Sequence, residues 1–263
     1  MLSWAKNLPA AASLKVGMWQ PSLRVRDASV FALAKRIGLD GVQVVLGSEK
    51  EGLPLRRPEV RRQYREAARE TGLAIPSTGL NELNNFPLAG EPRAAIWALD
   101  SIEVTRDLGA GVSMLPFFGK GELRDNDPRG MDRVVEALKE LAPRAEKAGV
   151  ILGLENTLSA EGNLKILERV GSPAVKVWYD VGNSSLRNYD VPAEIRMLGR
   201  RICEFHIKDR NFLLGQGPMD FRAIARAVRD IGYEGWLILE TASPKDVFED
   251  TRANVEYVRR VFA

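Results

Sequence analysis

The chain repeats one short pattern, in which a helical stretch ends at a glycine and an apolar run follows within a few residues. A glycine at this point readily adopts the left-handed backbone conformation that ends a helix. The glycines concerned are Gly38, Gly72, Gly109, Gly149, Gly171, Gly199 and Gly232. Together with an opening run, the segments after them predict eight β-strands, at 14–19, 41–46, 73–77, 112–115, 150–155, 175–180, 202–206 and 236–240.

This alternation of helices and strands restricts the fold class to α/β. Strands joined by helices run parallel, and eight such units favour a closed (β/α)8 TIM barrel, which commonly takes about 250 residues. An open doubly wound sheet is the alternative, but no glycine-rich phosphate-binding turn follows the first predicted strand. Because no linker or change of composition divides the 263 residues, we expect a single barrel domain over residues 1–263.

The charge pattern argues against nucleic acid as a partner. The 38 basic and 35 acidic residues are interspersed, the net charge is +3, and basic residues do not cluster with aromatic ones. No apolar run approaches the roughly 20 residues that span a bilayer, so no membrane partner is expected. Cys203 is the single cysteine, which excludes an internal disulfide and fits a reducing compartment. Since Asn7 and Pro9 interrupt the apolar start, a signal peptide is disfavoured and a cytoplasmic location is expected.

Four apolar runs in the second half of the chain end in a residue that can bind a metal ion. These residues are Glu155, Asp180, His206 and Glu240, and His206 is the single histidine of the chain. A buried carboxylate has to be paired or bound to a cation, so packing alone explains these positions poorly. In a barrel, the C-terminal ends of all strands meet on one face, and neighbouring strands lie about 5 Å apart. We therefore expect the four side chains to converge on one site.

Each of these residues alone has an ordinary explanation. A carboxylate after a strand often caps a helix or forms half of a salt bridge, and a histidine often lies hydrogen-bonded in a core. One such residue at the end of each of four successive strands is difficult to explain in that way. Three carboxylates and one imidazole form a hard donor set. They predict one divalent metal ion, with Mn²⁺ as the first choice and Mg²⁺, Co²⁺ or Zn²⁺ as alternatives.

The residues around these positions resemble the xylose isomerase-like TIM barrels. This superfamily of sugar isomerases and epimerases includes the ketose 3-epimerases and, more distantly, endonuclease IV. The matching segments are Gly-Leu-Glu-Asn at 153–156, Tyr-Asp-Val-Gly-Asn at 179–183, Phe-His-Ile-Lys-Asp at 205–209 and Leu-Glu at 239–240. The resemblance covers nearly the whole chain. It implies that one divalent ion is held at the four positions, that Glu155 and Glu240 also move a substrate proton, and that Asp180 and His206 are ligands only.

The resemblance also implies substrate-binding residues, with departures from the family pattern. Glu161 matches a glutamate that stands six residues after the first metal ligand in the 3-epimerases. Asn183 replaces their histidine three residues after the metal-binding aspartate. Phe212 stands where they have a substrate-binding arginine, and Arg210 is the nearby candidate for that role. We therefore expect the substrate contacts to differ from those of an epimerase for free ketohexoses.

Three more residues are predicted on the same rim of the barrel. Lys208 and Asp209 directly follow the metal-binding histidine in sequence. Lys208 is expected to contact a substrate oxygen, and Asp209 to orient a ligand or pair with Arg210. The alternative for both is a surface ion pair of little energetic consequence. Trp19 ends the first predicted strand and is expected to line the pocket wall.

These observations predict a metal-dependent sugar epimerase or isomerase. It would remove a proton next to a carbonyl of a keto-sugar or sugar derivative, forming an enediolate whose charge a cation stabilises. The alternatives are a dehydratase or lyase on the same scaffold, of the inosose or dehydroshikimate dehydratase type or one that cleaves a C-glycoside, and a non-catalytic sugar-binding barrel. Endonuclease IV chemistry is disfavoured because its multi-zinc site needs many histidines. The resemblance also allows a homodimer.

Overall fold

The structure, a computed structural model, describes residues 14–263. Its centre is a closed barrel of eight parallel strands in sequence order, in which the last strand pairs with the first. The strands are β1 (Lys15–Trp19), β2 (Gly41–Val45), β3 (Ser77–Gly79), β4 (Val112–Pro116), β5 (Ile151–Glu155), β6 (Val175–Asp180), β7 (Ile202–Ile207) and β8 (Trp236–Leu239). The predicted (β/α)8 TIM barrel is confirmed.

Helices connect successive strands, and two of them separate β6 from β7. They are α1 (Val30–Ile37), α2 (Pro58–Thr71), α3 (Pro92–Asp107), α4 (Pro128–Ala148), α5 (Ala160–Val170), α6 (Val181–Leu186), α7 (Val191–Leu198), α8 (Phe221–Asp230) and α9 (Val247–Val261). Short 3₁₀ helices lie at Gln20–Leu23, Glu49–Glu51, Pro54–Arg56, Asn81–Asn84, Gly119–Gly121 and Gly199–Arg201. Among residues 14–263, none of the helices has the length and apolar character that a membrane crossing requires.

Local sequence explains how these helices begin and end. In α8, for example, the Asp220 carboxylate accepts a hydrogen bond from Ala223 N, which satisfies a backbone donor at the helix start. Residues of α8 spaced three and four apart, such as Phe221, Ile224 and Val228, are buried and face the barrel. All of the glycines predicted to end helices have φ angles between +51° and +94°.

The third strand differs from its prediction. The sequence places it at 73–77, whereas β3 begins only at Ser77 and ends at Gly79. Pro76 explains the shift, because proline has no N–H to donate to a neighbouring strand. Before it, Ala74 forms an isolated bridge with Gly41. The strand therefore starts after the proline, closer to the face of the barrel where the other strands end.

Two apolar layers hold the barrel together. The larger one fills the space between the strands and the helices. The smaller one lies inside the barrel and consists of Val112, Met114, Trp178 and Ile238, with Trp236 packed against it. Trp178 is buried in this layer, whereas Trp236 is only partly buried. This layer fills part of the barrel interior with side chains, as is usual for barrels of this kind.

Candidate metal centre and active-site cavity

The structure brings the four predicted metal ligands together at the C-terminal face of the barrel. Glu155 and Asp180 are the last residues of β5 and β6, His206 is the penultimate residue of β7, and Glu240 directly follows β8. Asp180 and His206 are register partners across the β6–β7 pair. One ligand atom from each of the four side chains lies within 4.8 Å of the others. The barrel therefore presents a cluster of three carboxylates and one imidazole that could hold a metal ion.

His206 directs one ring nitrogen into this cluster and the other towards β2. Its Nδ1 lies 2.8 Å from Glu155 Oε1, 3.4 Å from Glu240 Oε2 and 3.9 Å from Asp180 Oδ2. Its Nε2 lies 2.9 Å from Gln43 Oε1. Burial alone lowers the pKa of His206, but the Glu155 and Glu240 carboxylates outweigh burial and raise the pKa overall. The surroundings of Nδ1 therefore favour a positive charge at this point.

Asp180 uses its two carboxylate oxygens for different purposes. Oδ1 accepts hydrogen bonds from Gly182 N at 2.8 Å and Asn183 N at 2.9 Å, and so caps α6. Oδ2 faces the cluster, 2.7 Å from Lys208 Nζ. Burial raises the pKa of Asp180, and the Lys208 ammonium acts in the opposite direction without cancelling the rise. One oxygen of Asp180 therefore caps the helix, and the other stays directed at the cluster.

Lys208 covers the cluster on the side of the open cavity. Its Nζ lies 2.7 Å from both Asp180 Oδ2 and Glu240 Oε2. Burial lowers the pKa of Lys208, but the Asp180 and Glu240 carboxylates outweigh it and raise the pKa overall. The aliphatic stem runs against Gly182, where an added Cβ would lie 2.4 Å from Lys208 Cγ. Glycine at position 182 therefore leaves the space through which the lysine reaches the carboxylates.

The charge and donors of the cluster fit a divalent cation. Three carboxylates face one ammonium, which leaves two uncompensated negative charges when the imidazole is neutral. Carboxylate oxygens and an imidazole nitrogen are donors that Mn²⁺, Mg²⁺ and Zn²⁺ all accept. The lysine is a competitor for the site, because an ion would share Asp180 Oδ2 and Glu240 Oε2 with Nζ. Metal binding at these atoms therefore requires the ammonium of Lys208 to move.

A cavity of about 530 Å³ opens beside the cluster. This volume lies within the roughly 300–1,000 Å³ that small-molecule sites usually have. Several of the predicted site residues line it, namely Trp19, Asn183, Lys208, Arg210 and Glu240. Leu186 and Phe212, both strongly exposed, complete an apolar part of its wall. The cavity therefore joins the cluster to solvent through the rim on which substrate contacts were predicted.

Glu161 does not line this cavity, in contrast to the expectation from the resemblance. It is an exposed residue in the first turn of α5. Ser159 caps that helix by accepting a hydrogen bond from Gly162 N at 3.2 Å, so α5 begins almost at once after the end of β5. The early start carries Glu161 away from the strand end and towards solvent.

Asp209 has a different place from the predicted one. It is fully buried, and its Oδ2 accepts hydrogen bonds from Gly215 N at 3.1 Å and Gly217 N at 2.9 Å. No salt bridge between Asp209 and Arg210 forms. A Cβ at position 217 would lie 2.2 Å from Asp209 Oδ1, so the loop backbone packs directly on the carboxylate. Asp209 therefore holds the loop after β7, and the Gly-Gln-Gly-Pro segment at 215–218 serves this contact.

Gln43 is a residue of the site that sequence reasoning missed. It lies in β2, is fully buried, accepts from His206 Nε2 and donates its own Nε2 to Met114 Sδ at 3.3 Å. An outer partner of this kind fixes the tautomer and orientation of a metal-binding histidine. The available signal was a single amide within the otherwise apolar run Gly41–Val45. A buried polar residue in such a run needs a hydrogen-bond partner.

Comparisons with known proteins agree with the barrel fold. The family model described as "xylose isomerase-like TIM barrel" matches residues 31–261. The chain is 28% identical to 2-epi-5-epi-valiolone 7-phosphate 2-epimerase of an Actinoplanes species over 94% of each chain. It is 30% identical to a putative L-ribulose-5-phosphate 3-epimerase of Escherichia coli over 81% of this chain and 82% of the relative. The D-psicose 3-epimerase structure from Clostridium cellulolyticum superposes with a TM-score of 0.78 at 17% identity, covering 95% of this chain and 99% of that one. These relatives are named epimerases, which are isomerases, as the sequence predicted.

Proposed function

Because the chain belongs to the xylose isomerase-like TIM barrel family, we propose that it is a sugar epimerase that depends on one divalent metal ion. The observation that carries the proposal is the convergence of Glu155, Asp180, His206 and Glu240 within 4.8 Å beside a cavity. Epimerisation next to a carbonyl needs a group that removes a proton, a group that returns it, and positive charge near the substrate oxygen. The cluster supplies candidates for all three.

The proposed ligands are these four residues, and the proposed ion is Mn²⁺. A divalent ion bound there would stabilise the negative charge that develops on the substrate oxygen as the proton leaves. Asp180 and His206 act as ligands in this proposal. The Asp180 carboxylate is held in place by α6, and the His206 ring by Gln43. Both ligands are therefore preorganised by partners outside the cluster.

Glu155 and Glu240 are the proposed acid–base pair. Glu155 ends β5 and Glu240 directly follows β8, so Asp180 and His206 on β6 and β7 lie between them along the barrel wall. A substrate placed over the middle of this arc would have one glutamate on each side. One carboxylate can then take a proton from one face of the carbon, and the other can return a proton to the opposite face, which inverts the centre.

Lys208 is proposed to turn to a substrate oxygen when it leaves the carboxylates. Its ammonium is already at the boundary between the cluster and the cavity, and its stem packs against the backbone of Gly182. The ammonium has three N–H donors on a flexible stem, so it can donate to a substrate oxygen on which negative charge develops. Trp19 and Asn183 line the same cavity and are proposed to contact the sugar ring or chain.

The substrate is proposed to be a keto-sugar or a close sugar derivative. The names of the relatives include one cyclitol phosphate, one sugar phosphate and one free ketose, so they leave the phosphorylation state open. A homodimer and a cytoplasmic location stay predictions from the sequence. No observation in the structure favours the dehydratase, lyase or non-catalytic alternatives.

The direct test is proton exchange in D₂O. The Mn²⁺-loaded protein would be incubated with ketoses, ketose phosphates and oxidised sugars, and deuterium uptake followed by NMR. We expect uptake next to the carbonyl and a product of unchanged mass apart from deuterium. Loss of water or of an aglycone would assign the protein to the lyases, and absence of exchange with every sugar would refute the proposal.

Two variants test the roles of the glutamates, with a third as control. Glu155→Gln and Glu240→Gln should each reduce turnover by at least about 100-fold, the scale on which general acid–base groups act. Glu168→Gln changes an exposed glutamate of α5 and should leave turnover unchanged. Activity near the unmodified level in either of the first two variants would exclude the two-base scheme.

A further inference from the structure

Arg210 stands at the mouth of the cavity in an unusual backbone conformation. Its φ angle is +52°, a left-handed value that residues other than glycine seldom adopt. Such a conformation costs on the order of 1 kcal/mol or more and is retained where the surrounding structure enforces it. Its side chain lines the same cavity as Lys208 and Glu240. The backbone strain is therefore located on the rim that faces the candidate active site.

The turn that carries Arg210 is firmly anchored. Phe212 N donates to Asp209 O at 2.9 Å, which closes a tight turn over residues 209–212. The buried Asp209 carboxylate also holds the following loop through Gly215 N and Gly217 N. The start of the Arg210 side chain is thus fixed, which reduces the entropy that a bound ligand would cost.

The guanidinium of Arg210, by contrast, has no strong partner. It lies 3.4 Å from the backbone and hydroxyl oxygens of Ser185, at the outer limit of hydrogen bonding. It forms no salt bridge with any carboxylate between residues 14 and 263. The cavity is also lined by the neutral Ser22, Asn183 and Asn211 and by Glu240, whose carboxylate is paired with Lys208. Within the described chain, Arg210 is therefore the cationic side chain of this cavity that has no carboxylate partner.

A neighbouring cavity on the same rim shows the opposite arrangement. It has a volume of about 440 Å³ and is lined by Arg124 and Arg187. Both guanidinium groups are already bound to Glu122, Arg187 at 2.8 Å and Arg124 at 2.7 Å. The Arg124 hydrogen bond, with that of Arg187, lowers the pKa of Glu122. The arginines there are neutralised internally, whereas Arg210 keeps its donors available.

We propose that Arg210 binds an anionic group at the end of the substrate remote from the metal cluster. The chemistry it fits is a planar or tetrahedral oxyanion, as in a sugar phosphate or a sugar carboxylate, which guanidinium binds through two parallel hydrogen bonds. The proposal rests on the proposed function for the reacting end of the sugar. It adds a substrate class: the protein prefers a sugar with a negatively charged terminal group.

The first experiment compares a ketohexose, its 6-phosphate and the corresponding keto-hexuronate as substrates of the Mn²⁺-loaded protein. We expect a higher kcat/KM for at least one anionic sugar than for the neutral one, and the arm with the higher value identifies phosphate or carboxylate. In Arg210→Gln, the ratio of anionic to neutral kcat/KM should fall by about 10- to 100-fold, the scale of a charge-assisted hydrogen bond. The ratio for Arg210→Lys should lie between that of the unmodified protein and that of Arg210→Gln.

Arg124→Gln is the matched control, because it removes the same charge from the same rim and from a guanidinium that is already paired. Its ratio of anionic to neutral kcat/KM should change by less than about threefold, the change that loss of an exposed ion pair typically causes. The inference is overturned if the unmodified protein has no preference for either anionic sugar. It is also overturned if Arg210→Gln lowers the anionic and neutral values equally.

A binding measurement separates this inference from the proposed function. Calorimetry would compare the 6-phosphate and the neutral ketohexose on the Mn²⁺-loaded protein and on Arg210→Gln. Tighter binding of the phosphate by the unmodified protein, lost in the variant, supports Arg210 even when no sugar exchanges a proton. Equal binding in both proteins refutes the role of Arg210 even when turnover is observed.

Discussion

His206 Nε2 lies 2.9 Å from Gln43 Oε1, and this contact determines what the other ring nitrogen can do. An amide oxygen only accepts hydrogen bonds, so Nε2 carries the proton in a neutral imidazole. Nδ1 then presents its lone pair to Glu155 Oε1 at 2.8 Å. Two acceptors at this distance repel each other unless a proton or a cation joins them. The pair therefore organises the cluster for a positively charged partner.

Replacing Gln43 should weaken metal binding without removing a ligand. In Gln43→Met the imidazole loses its acceptor, so both tautomer and ring orientation become free, and we expect a loss of about 10- to 100-fold in Mn²⁺ affinity. Gln43→Glu retains an acceptor for Nε2 and should bind Mn²⁺ more tightly than Gln43→Met. Competition with a chelator of known affinity measures both. Unchanged affinity in Gln43→Met would show that this contact does not organise the site.

Removing the ammonium of Lys208 should strengthen metal binding. Nζ lies 2.7 Å from Asp180 Oδ2 and Glu240 Oε2, so a divalent ion has to displace it. In Lys208→Met we expect Mn²⁺ affinity to rise by at least about tenfold, since the cluster loses a competing positive charge. Turnover should fall in the same variant.

Two further variants check this explanation. Gly182→Ala should shift affinity in the same direction, because its Cβ would meet the lysine stem while Gly182 N remains to cap Asp180. Lys165→Met removes an exposed charge from α5 and serves as the control. Weaker metal binding in Lys208→Met than in the control would contradict the competition.

Glu204 makes the stability of the fold depend on pH. It lies inside the barrel, where burial raises the pKa of its carboxyl group to about 8. The hydrogen bond that Ser77 Oγ donates at 2.8 Å lowers the pKa but does not cancel the rise. Below pH 4.5 both the folded and the unfolded chain hold the proton. Between pH 4.5 and about 8 only the folded chain holds it, so rising pH favours unfolding.

Glu204→Gln should remove this dependence. Relative to the unmodified protein, its free energy of unfolding should increase by on the order of 3 kcal/mol between pH 5 and pH 7.5. Urea denaturation at the two pH values measures the change, with the exposed Glu140→Gln as control. A difference between Glu204→Gln and the unmodified protein that stays constant with pH would disprove the assignment.

Sequence reasoning succeeded where one residue type stands at a regular place in a repeat. The helix-ending glycines and the convergence of the carboxylate and imidazole residues at the ends of four strands belong to this class, because the barrel converts equal positions in successive units into neighbours in space. The third strand was predicted at the wrong position because the prediction followed the apolar residues. Leu73 and Ile75 suggest a strand, whereas the missing N–H of Pro76 delays pairing until Ser77.

The contacts that sequence reasoning missed join distant parts of the chain or depend on where a loop turns. Gln43 and His206 are 163 residues apart, and nothing local to either predicts the pair. Asp209 looked like a rim residue because it follows a ligand strand, yet its carboxylate turns inward to the loop backbone. Glu161 matched a family position by spacing, but the early start of α5 directs it to solvent. Spacing along the chain does not determine such directions.

The most direct test of the proposed metal centre is a titration of the metal-free protein with Mn²⁺, followed by paramagnetic resonance. We expect one tightly bound ion per chain. In His206→Asn and Asp180→Asn we expect Mn²⁺ affinity to fall by more than the roughly 10- to 100-fold that loss of an outer partner costs. Asparagine caps a helix as well as aspartate does, so Asp180→Asn keeps the start of α6. Failure of the unmodified protein to bind Mn²⁺, or equal affinity in His206→Asn, would contradict the proposed metal centre.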